Sequence, residues 1–496
     1  MKLWKKILSA VTAGVLCLGS VGVTGMQSVL ESMGTVLSAS ADSYSYGDLS
    51  YEVTDAGDIV ITGCNSNSLN VEIIEIPSEI DGKSVVSIRR NAFSYRTNLT
   101  AITIPDSVTS IGEGAFSSCH SLAEITIPDS VTSIGYRAFF STPWLAEKQE
   151  ENPLVIVNGI LVDGTATRTR NVVIPDGVTS IGVGAFYNHT SLKVITLPDS
   201  VRSIEENAFY ACPNLTEITL SDGVTSIGKS AFYNCTDLKA ITLPDSVTSI
   251  GEHAFYDCYS LTEITLSDSV TSIGKFAFCD CISLKAITLP DSVTSIGENA
   301  FGDCESLTEI TIPDSMTSIE RAVFSLCISL KEITIPDSVT SIGEHAFYYC
   351  TGLTSITIPN SVTSIEKNAF LGSDNLTIYG YTGSCAETHA KRNDIPFVPL
   401  DSITTTETTT TTTTATTTTE TTAATTTKTT ATTTTKTTAA TTTTVGTTVS
   451  INPDVFYGDV TLDGDVDLAD AVLLNKAVAG SVTLNQQAAL MTAWYC

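Results

Sequence analysis

Between residues 80 and 375 the hydrophobic and polar positions of the chain recur with a fixed period. The phenylalanine of an Ala-Phe pair, or once of a Val-Phe pair, marks each period, and successive marks lie 23 residues apart except for one step of 47. These marks are Phe93, Phe116, Phe139, Phe186, Phe209, Phe232, Phe255, Phe278, Phe301, Phe324, Phe347 and Phe370. Such a period is typical of a solenoid. It predicts about 13 coils, one of them divergent at residues 141–174.

One repeat, residues 238–258, illustrates the elements. Its small or apolar positions are Leu238, Ile241, Leu243, Val247, Ile250, Ala254, Phe255 and Cys258. Alternation over 238–243 predicts a strand, 244–246 a turn, 247–250 a second extended piece, and 251–255 a short helical or 3₁₀ turn. No coil buries these side chains alone. Stacking at the ~4.8 Å strand spacing buries them between neighbours, which predicts a parallel sheet on one face.

The segment from Leu261 to Phe278 resembles the 23-residue leucine-rich repeat of bacterial BspA-like surface proteins. The resemblance implies a β-rich solenoid of leucine-rich repeat type over residues 80–375, with parallel strands and short helical or 3₁₀ turns. It also implies an N-terminal cap over 42–79 and a C-terminal cap over 376–400, which cover the end coils. In that family the associated roles are adhesion and partner binding rather than catalysis.

Residues 1–41 predict a secretory signal peptide. Lys2, Lys5 and Lys6 precede an apolar stretch, and small residues at 39–41 supply a cleavage point. After Val23 no apolar run approaches the roughly 20 residues that span a bilayer, so we expect a soluble, extracellular protein, either free or attached to a cell surface or cellulosome.

The composition changes at residues 401–450, where 33 of 50 residues are Thr. No hydrophobic core can be built from such a segment. We therefore predict a disordered linker, open to O-glycosylation, that separates the solenoid from residues 451–496.

Residues 459–470 follow the pattern of a calcium-binding loop. Oxygen ligands occupy loop positions one, three, five, seven, nine and twelve, and they are Asp459, Thr461, Asp463, Asp465 through its backbone carbonyl, Asp467 and Asp470. Gly464 at position six permits the sharp bend of such a loop. The sequence thus predicts calcium as the cofactor.

The loop and the following helix, residues 471–478, resemble a type I dockerin, the module that plugs cellulosome components into the cohesins of a scaffoldin. The resemblance implies a small α-helical, EF-hand-like module, with cohesin-facing residues at Leu468, Ala469, Asn475 and Lys476. Thr461 replaces the usual Asn or Asp, so we expect weaker calcium binding. Dockerins normally contain two such loops, and the chain stops at Cys496 where the second is expected. We therefore expect a partial, truncated dockerin that binds cohesin weakly.

Four columns of equivalent residues in the repeat are candidates for function. One column holds Asp129, Asp199, Asp245, Asp291 and Asp337, which we interpret as side-chain caps of their own turns rather than as calcium ligands. A second holds Cys212, Cys235, Cys258, Cys281, Cys304, Cys327 and Cys350, for which a buried thiol ladder is favoured over staggered disulfides.

The third column forms a hydroxyl and carboxylate surface on the strands. Its candidate ligand-binding residues are Glu124, Thr126, Thr196, Glu217, Thr242, Glu263, Thr288, Glu309, Glu332 and Thr334. A glycan or protein ligand and a merely solvated β-face both fit this composition. The fourth column is Tyr187, Tyr210, Tyr233 and Tyr256, for which half-buried rim packing is favoured over a sugar platform.

Charge and composition exclude several functions. The net charge of −29 repels nucleic acid and anionic membranes, and five histidines, with His253 and His345 as repeat copies, leave little for a histidine-based active site. We predict a secreted, non-catalytic binding protein that docks on a cohesin. The alternatives are an accessory component of polysaccharide degradation, by association of dockerins with glycoside hydrolases, and a free host-interaction adhesin with a vestigial dockerin.

Overall fold

The computed structural model describes residues 44–65, 70–402, 405–416 and 438–449. The chain divides into two compact units, Met1–Glu147 and Lys148–Cys496. Within each unit, strands from successive coils pair in parallel between residues 23 positions apart, as in Ser87 with Ser110 and Ser226 with Ser249. The predicted parallel β-solenoid architecture is therefore confirmed. Within these ranges the structure contains no helix that is long and apolar enough to cross a membrane.

The N-terminal unit begins with an antiparallel sheet that leads into parallel coils. Strands β1, β2 and β3 pair antiparallel, and β3 then pairs in parallel with β6. Each following coil contributes one strand to the β4–β7–β9 sheet and one to the β6–β8–β10 ladder. The strands are β1 Tyr44–Tyr46, β2 Leu49–Val53, β3 Ile59–Cys64, β4 Ile73–Glu75, β5 Glu79–Ile80, β6 Lys83–Ile88, β7 Ala101–Thr103, β8 Ser110–Ile111, β9 Glu124–Thr126 and β10 Ser133–Ile134.

The divergent repeat forms helix α1, Pro143–Glu151, and an antiparallel hairpin of β11, Val155–Val157, with β12, Ile160–Asp163. Every later coil of the C-terminal unit has a first strand and a second strand. The first strands are β13 Asn171–Val173, β15 Val194–Thr196, β17 Glu217–Thr219, β19 Ala240–Thr242, β21 Glu263–Thr265, β23 Ala286–Ile287, β25 Glu309–Ile310, β27 Glu332–Thr334 and β29 Ser355–Thr357. The second strands are β14 Ser180–Ile181, β16 Ser203–Ile204, β18 Ser226–Ile227, β20 Ser249–Ile250, β22 Ser272–Ile273, β24 Ser295–Ile296, β26 Ser318–Ile319, β28 Ser341–Ile342 and β30 Ser364–Ile365.

The region predicted as a C-terminal cap contains β31 Thr377–Gly380, helix α2 Cys385–Arg392, β32 Phe397–Pro399 and a 3₁₀ turn at Leu400–Ser402. Strand β31 pairs with β29 on one side and with β32 on the other, so two further strands cover the edge of β29, the first strand of the last coil. The Ser384 hydroxyl accepts a hydrogen bond from the Glu387 N–H and caps the start of α2.

Two strands lie inside the segment that was predicted to be a disordered linker. Strands β33, Thr405–Thr416, and β34, Thr438–Val449, pair antiparallel along their whole length. The prediction of a disordered linker over 401–450 is therefore not confirmed for these two ranges.

A ladder of phenylalanine rings forms the centre of each unit. In the C-terminal unit nine rings, from Phe186 to Phe370, stack with centroids 5.2–5.8 Å apart. In the N-terminal unit Phe93, Phe116 and Phe139 stack in the same way. All of these rings are buried, which confirms that the Ala-Phe position points inward.

The segment after each second strand is a series of turns rather than a helix. In the coil of Phe255, alternate backbone N–H groups bond three residues back, as Tyr256 does to the His253 carbonyl at 3.2 Å. The N–H groups between them bond to the next coil, as Phe255 does to the Ala277 carbonyl at 2.8 Å. His253 and Asp257 have φ values of 56° and 59°, in the left-handed region. The predicted short 3₁₀ turn is therefore present only as separate bonds of this type, because every second N–H group donates to the next coil and a continuous helix cannot form.

Glycine is required where the second strands leave the sheet, because neighbouring coils come very close there. A Cβ atom on Gly251 would lie 2.6 Å from the backbone carbon of Gly228, closer than such contacts allow. The equivalent glycines of other coils, such as Gly274, meet the preceding coil in the same way.

We predict that Phe255→Ala lowers the stability of the protein more than Tyr256→Ala. Phe255 is fully buried between Phe232 and Phe278, so its removal leaves a cavity that costs about 3 to 5 kcal/mol. Tyr256 is half-buried and is stacked on one side by Tyr233. Thermal unfolding of the two variants measures the difference, and equal melting temperatures would contradict the inward assignment.

Candidate functional site

The residues predicted to form a ligand face lie on the first strands, and all are exposed. In β21 the side chain of Ile264 is buried, whereas Glu263 and Thr265 on either side are exposed, because successive side chains of a strand point to opposite faces. Glu124 and Thr126 are exposed in the N-terminal unit. In the C-terminal unit Thr196, Glu217, Thr242, Glu263, Thr288, Glu309, Glu332 and Thr334 are exposed. We call this second set of residues, with the lysines described next, the strand face.

The strand face repeats every two coils. Lys193, Lys239, Lys285 and Lys331 precede the first strands of alternate coils, and Thr216, Thr262, Thr308 and Thr354 take the same position in the coils between them. Each of these threonine hydroxyls donates a hydrogen bond of 3.2–3.3 Å to the carbonyl of the lysine in the preceding coil. The ladders follow the same period, since β19 pairs with β21 and β23 with β25, whereas β21 and β23 do not pair. In this part of the strand face, the first strands are therefore joined by backbone hydrogen bonds two coils at a time.

The charged side chains of the strand face are available to a partner. Among the described residues, none of the ion pairs involves Lys193, Lys239, Lys285 or Lys331, or the glutamates of the strand face. In contrast, charges beside the Ala-Phe turns pair between coils, as Lys229 does with Glu252 at 3.3 Å and Arg321 with Glu344 at 3.6 Å. The turn charges thus satisfy one another, whereas those of the strand face contact solvent.

The tyrosine column is a continuous stack. The ring centroids of Tyr187, Tyr210, Tyr233 and Tyr256 are separated by 4.8, 4.6 and 4.9 Å, with nearly parallel planes. The inner rings therefore cover each other's faces, and a sugar ring has no open aromatic face to stack on there. All four side chains are half-buried, in agreement with the favoured interpretation as rim packing.

The tyrosine stack ends at a polar cluster that the sequence analysis did not single out. Cys279 stands where the four preceding coils have tyrosine, and Asp257, Asp280 and Asp303 follow one another in the adjacent column. The ligand atoms of Cys279, Asp280 and Asp303 all lie within 4.8 Å of one another. Aligning the repeats in columns would have found this departure, because the tyrosine is replaced at Cys279 alone among these five coils.

The cysteine column is a ladder of buried thiols. Each thiol donates a hydrogen bond to the carbonyl of the core phenylalanine 26 residues earlier, as Cys258 does to Phe232 at 3.2 Å and Cys281 to Phe255 at 3.3 Å. Burial raises the pKa of Cys212 to about 12 and that of Cys350 to about 12, so these groups stay protonated donors at neutral pH. The structure supports buried thiols rather than disulfides, since the cysteines of the column are free and their thiols donate hydrogen bonds to the preceding coil.

In several coils serine rather than aspartate holds the turn that follows the first strand. The hydroxyls of Ser130, Ser200 and Ser292 donate hydrogen bonds of 2.7–2.8 Å to the carbonyl of a valine in the preceding coil. Among the side-chain hydrogen bonds of the described residues, none is accepted by the carboxylates of the neighbouring Asp129, Asp199 and Asp291. The predicted capping role of the aspartates is therefore not confirmed. The hydroxyl can reach the coil before it because equivalent residues stack.

The predicted calcium loop lies outside the described residues. This applies to its ligands Asp459, Thr461, Asp463, Asp465, Asp467 and Asp470, and to the cohesin-facing residues Leu468, Ala469, Asn475 and Lys476. The predicted signal peptide also lies outside them. The assignment of these segments stays a prediction from sequence.

Coils of 23 residues with a buried phenylalanine ladder and one exposed strand face define a leucine-rich repeat solenoid. Residues 86–147, 165–282 and 248–377 match six copies of the family model described as BspA type leucine rich repeat region. The chain belongs to this family. Proteins of this family are often found at the cell surface or outside the cell, and leucine-rich repeat proteins are typically non-catalytic binding proteins.

Several solved structures are similar to this chain. One is a leucine rich cell surface protein from Faecalibacterium prausnitzii, with 29% identity over 71% of this chain and 98% of that chain, and a TM-score of 0.35. A leucine-rich repeat protein from Bacteroides ovatus has 24% identity over 68% of this chain and 100% of that chain, with a TM-score of 0.37. The pneumococcal vaccine antigen PcpA has 18% identity over 72% and 98%, with a TM-score of 0.34. A comparison with curated proteins gives no match.

We predict that the serines hold the fold and that the strand-face glutamates do not. Ser292→Ala leaves the Val270 carbonyl without its donor and should lower the free energy of unfolding by about 1 to 3 kcal/mol. Replacing Glu217, Glu263 and Glu309 together with Gln should change it by no more than about 0.5 kcal/mol for each site, because these side chains are exposed and have no ion pair among the described residues. Denaturant unfolding measures both, and a large loss in the glutamate variant would mean that the face has a structural role.

Proposed function

We propose that this protein is a secreted, non-catalytic binding protein. Its strand face binds a protein or glycan ligand, and its C-terminal calcium loop attaches it to a cohesin of a cellulosome scaffold or cell surface. The proposal of ligand binding rests on the exposed Lys, Glu and Thr side chains of the strand face. Among the described residues, none of its lysines or glutamates forms an ion pair.

The two-coil period of the strand face favours a ligand with repeating groups. Two coils at the strand spacing advance by roughly 10 Å, so the pairs that begin with Lys193, Lys239 and Lys285 offer the same lysine, threonine and glutamate at that interval. A chain-like glycan or a fibrous protein with repeated polar groups would contact several pairs at once. Each contact after the first is then intramolecular, which raises the overall affinity without requiring a strong single contact.

Support for cohesin attachment comes from the sequence of residues 459–478. Five carboxylate residues and one threonine stand at calcium-ligand spacing around Gly464, and a hard divalent cation prefers such oxygen ligands. In the sequence after the loop, Asn475 and Lys476 stand at positions that match the cohesin contacts of type I dockerins. Binding of calcium would order the loop and fix the orientation of the predicted helix that follows it.

The alternatives differ in what they require of the chain. An accessory role in polysaccharide degradation requires cohesin binding beside glycoside hydrolases but no activity of the chain itself. The coils and flanking strands occupy the described residues from 44 to 402, and their histidines and carboxylates recur mainly as copies of the repeat. A free host-interaction adhesin would use the strand face alone and would bind no cohesin.

The strand face is tested by a glycan and protein array screened with the full chain. Replacing Glu217, Glu263, Glu309 and Glu332 with Gln should weaken ligand binding at least about tenfold, because hydrogen bonds to charged groups contribute about 1.5 to 3 kcal/mol each. A matched control replaces Asp199, Asp245, Asp291 and Asp337 with Asn, which removes the same charge from the turns. Equal loss in both variants would exclude the strand face as the site.

Release of reducing sugar from cellulose, xylan or pectin by the purified chain would instead favour a hydrolase.

The calcium loop is tested by calorimetric titration of the full chain, first with calcium and then with a cohesin panel. Calcium binding should disappear when Asp459 and Asp463 are both replaced with Ala, and cohesin binding should be lost with it or with a chelator. Asp454→Ala, just before the loop, should change neither. Replacing Asn475 and Lys476 with Ala should weaken cohesin binding while calcium binding persists. Cohesin binding that survives the chelator would contradict the dockerin assignment.

A further inference from the structure

The end of the tyrosine stack is the place where the chemistry of the repeat changes. Cys279 continues the tyrosine column with a thiol, and its side chain is only 2% exposed. The Cys279 thiol lies 3.5 Å from a carboxylate oxygen of Asp280. On the following coil Asp303 brings a second carboxylate, and the ligand atoms of all three residues lie within 4.8 Å of one another. Both aspartates are half-buried, so the group opens to solvent on one side.

The sulfur of Cys279 also has a hydrogen-bond partner on the next coil. The Asn299 side-chain amide donates a hydrogen bond of 3.2 Å to the sulfur of Cys279. Asn299 belongs to the next coil and has a φ of 54°, so the left-handed turn directs this donor toward the sulfur. Without a metal the thiol keeps its proton and donates it to Asp280, so a cation that binds the sulfur must displace that proton to solvent. The Asn299 donor would then stabilise the thiolate that binds the metal.

No counter-charge is present to offset the carboxylates. Among the described residues, neither Asp280 nor Asp303 takes part in an ion pair. Burial, followed by the charges of Asp280 and Glu305, raises the pKa of Asp303 to about 6. Burial, followed by the charge of Asp280, raises the pKa of the Cys279 thiol. A bound divalent cation would stabilise such a group of acidic side chains, because its charge offsets both their mutual repulsion and the cost of burying their charges.

We propose that Cys279, Asp280 and Asp303 form a binding site for a thiophilic divalent cation of the zinc type. One thiolate and two carboxylates supply three protein ligands from the set that zinc uses, and the open side leaves a fourth position for water. The thiolate separates this site from the predicted calcium loop, because calcium takes oxygen ligands only. A metal held here joins two successive coils, since Cys279 and Asp280 belong to one coil and Asp303 to the next.

The site is distinct from the thiol ladder beside it. Cys281 lies two residues away, and its thiol donates to the Phe255 carbonyl inside the core. Burial raises the pKa of Cys281 well above its ordinary value, and the side chain faces apolar residues instead of carboxylates. Cys281 is therefore a matched control for Cys279, because it has the same side chain on the same coil but no carboxylates around its sulfur.

The experiment uses the purified full chain and cadmium as the probe, because a cadmium–thiolate bond gives an ultraviolet charge-transfer band and calcium loops without thiols do not. Cys17, Cys64, Cys385 and Cys496 are replaced with Ser in every sample, because thiols outside the core would also bind cadmium. In this background the otherwise wild-type chain should show the band, saturating at one cadmium per chain, and so should Cys281→Ser and the variant in which Asp459 and Asp463 are replaced with Ala. Cys279→Ser should lose the band. Asp280→Asn and Asp303→Asn should weaken zinc binding in calorimetry by more than the roughly 10- to 100-fold typical of losing an outer-shell partner.

Melting temperatures provide a second readout. Saturating zinc should raise the melting temperature of wild type and Cys281→Ser but not of Cys279→Ser, since a ligand that binds only the folded state stabilises it. If Cys279→Ser does not fold, the half-exposed Asp303→Asn carries the same test. Absence of the band in wild type, its persistence in folded Cys279→Ser, or unchanged zinc affinity in both aspartate variants would overturn the proposal.

Discussion

The stacking distance between coils is the constraint on which the rest of the structure depends. Parallel strands lie about 4.8 Å apart, so each side chain has its equivalents directly above and below it. The phenylalanine rings fill that interval at 5.2–5.8 Å, and Gly251 leaves no room for a Cβ against Gly228. A coil can therefore vary freely only where its side chains leave the core. This is why the buried half of each repeat is nearly invariant along the chain and why differences between coils concentrate on the strand face and the turns.

The same stacking determines how charges are distributed. Beside the Ala-Phe turns the sign alternates from coil to coil through Lys229, Glu252, Lys275, Glu298 and Arg321, and neighbouring members pair at 3.3 and 3.9 Å. On the strand face the lysines and glutamates of successive coils stand in adjacent columns, separated by threonine hydroxyls that bond to backbone carbonyls. Opposite charges that alternate within one column lie above each other and pair, whereas the lysines and glutamates of the strand face are offset by a column and do not. The strand face thus keeps its polar groups for solvent or for a ligand, although the chain as a whole carries a net charge of −29.

The sequence was sufficient to predict the repeat register, the inward set and the outward strand face, because period and alternation are local properties. It could not predict the turn that carries Phe255, since half of the hydrogen bonds of that turn run to a coil 22 residues away. For the same reason the turn after each first strand was attributed to aspartate, the residue with the stronger local preference, whereas the stacked coils use the hydroxyl of Ser292 and its equivalents. The group of Cys279, Asp280 and Asp303 was missed because its members are up to 24 positions apart and meet only when the coils stack.

Departures from the repeat are of two physical kinds. Met316 and Val323 replace the valine and alanine of other coils at buried positions, and there the ladder of second strands stops between β24 and β26. The buried Ser338 hydroxyl, one coil later, also has no hydrogen-bond partner. The larger core side chains and the interruption of the ladder thus fall in the same coil. The coils of Asp280 and Asp303 keep their inter-coil bonds, at 2.9 and 2.8 Å, although their side chains are the least typical of the array. The backbone of these coils therefore accommodates the acidic residues without losing its ladder, although burial opposes their charge and raises the pKa of Asp303 to about 6.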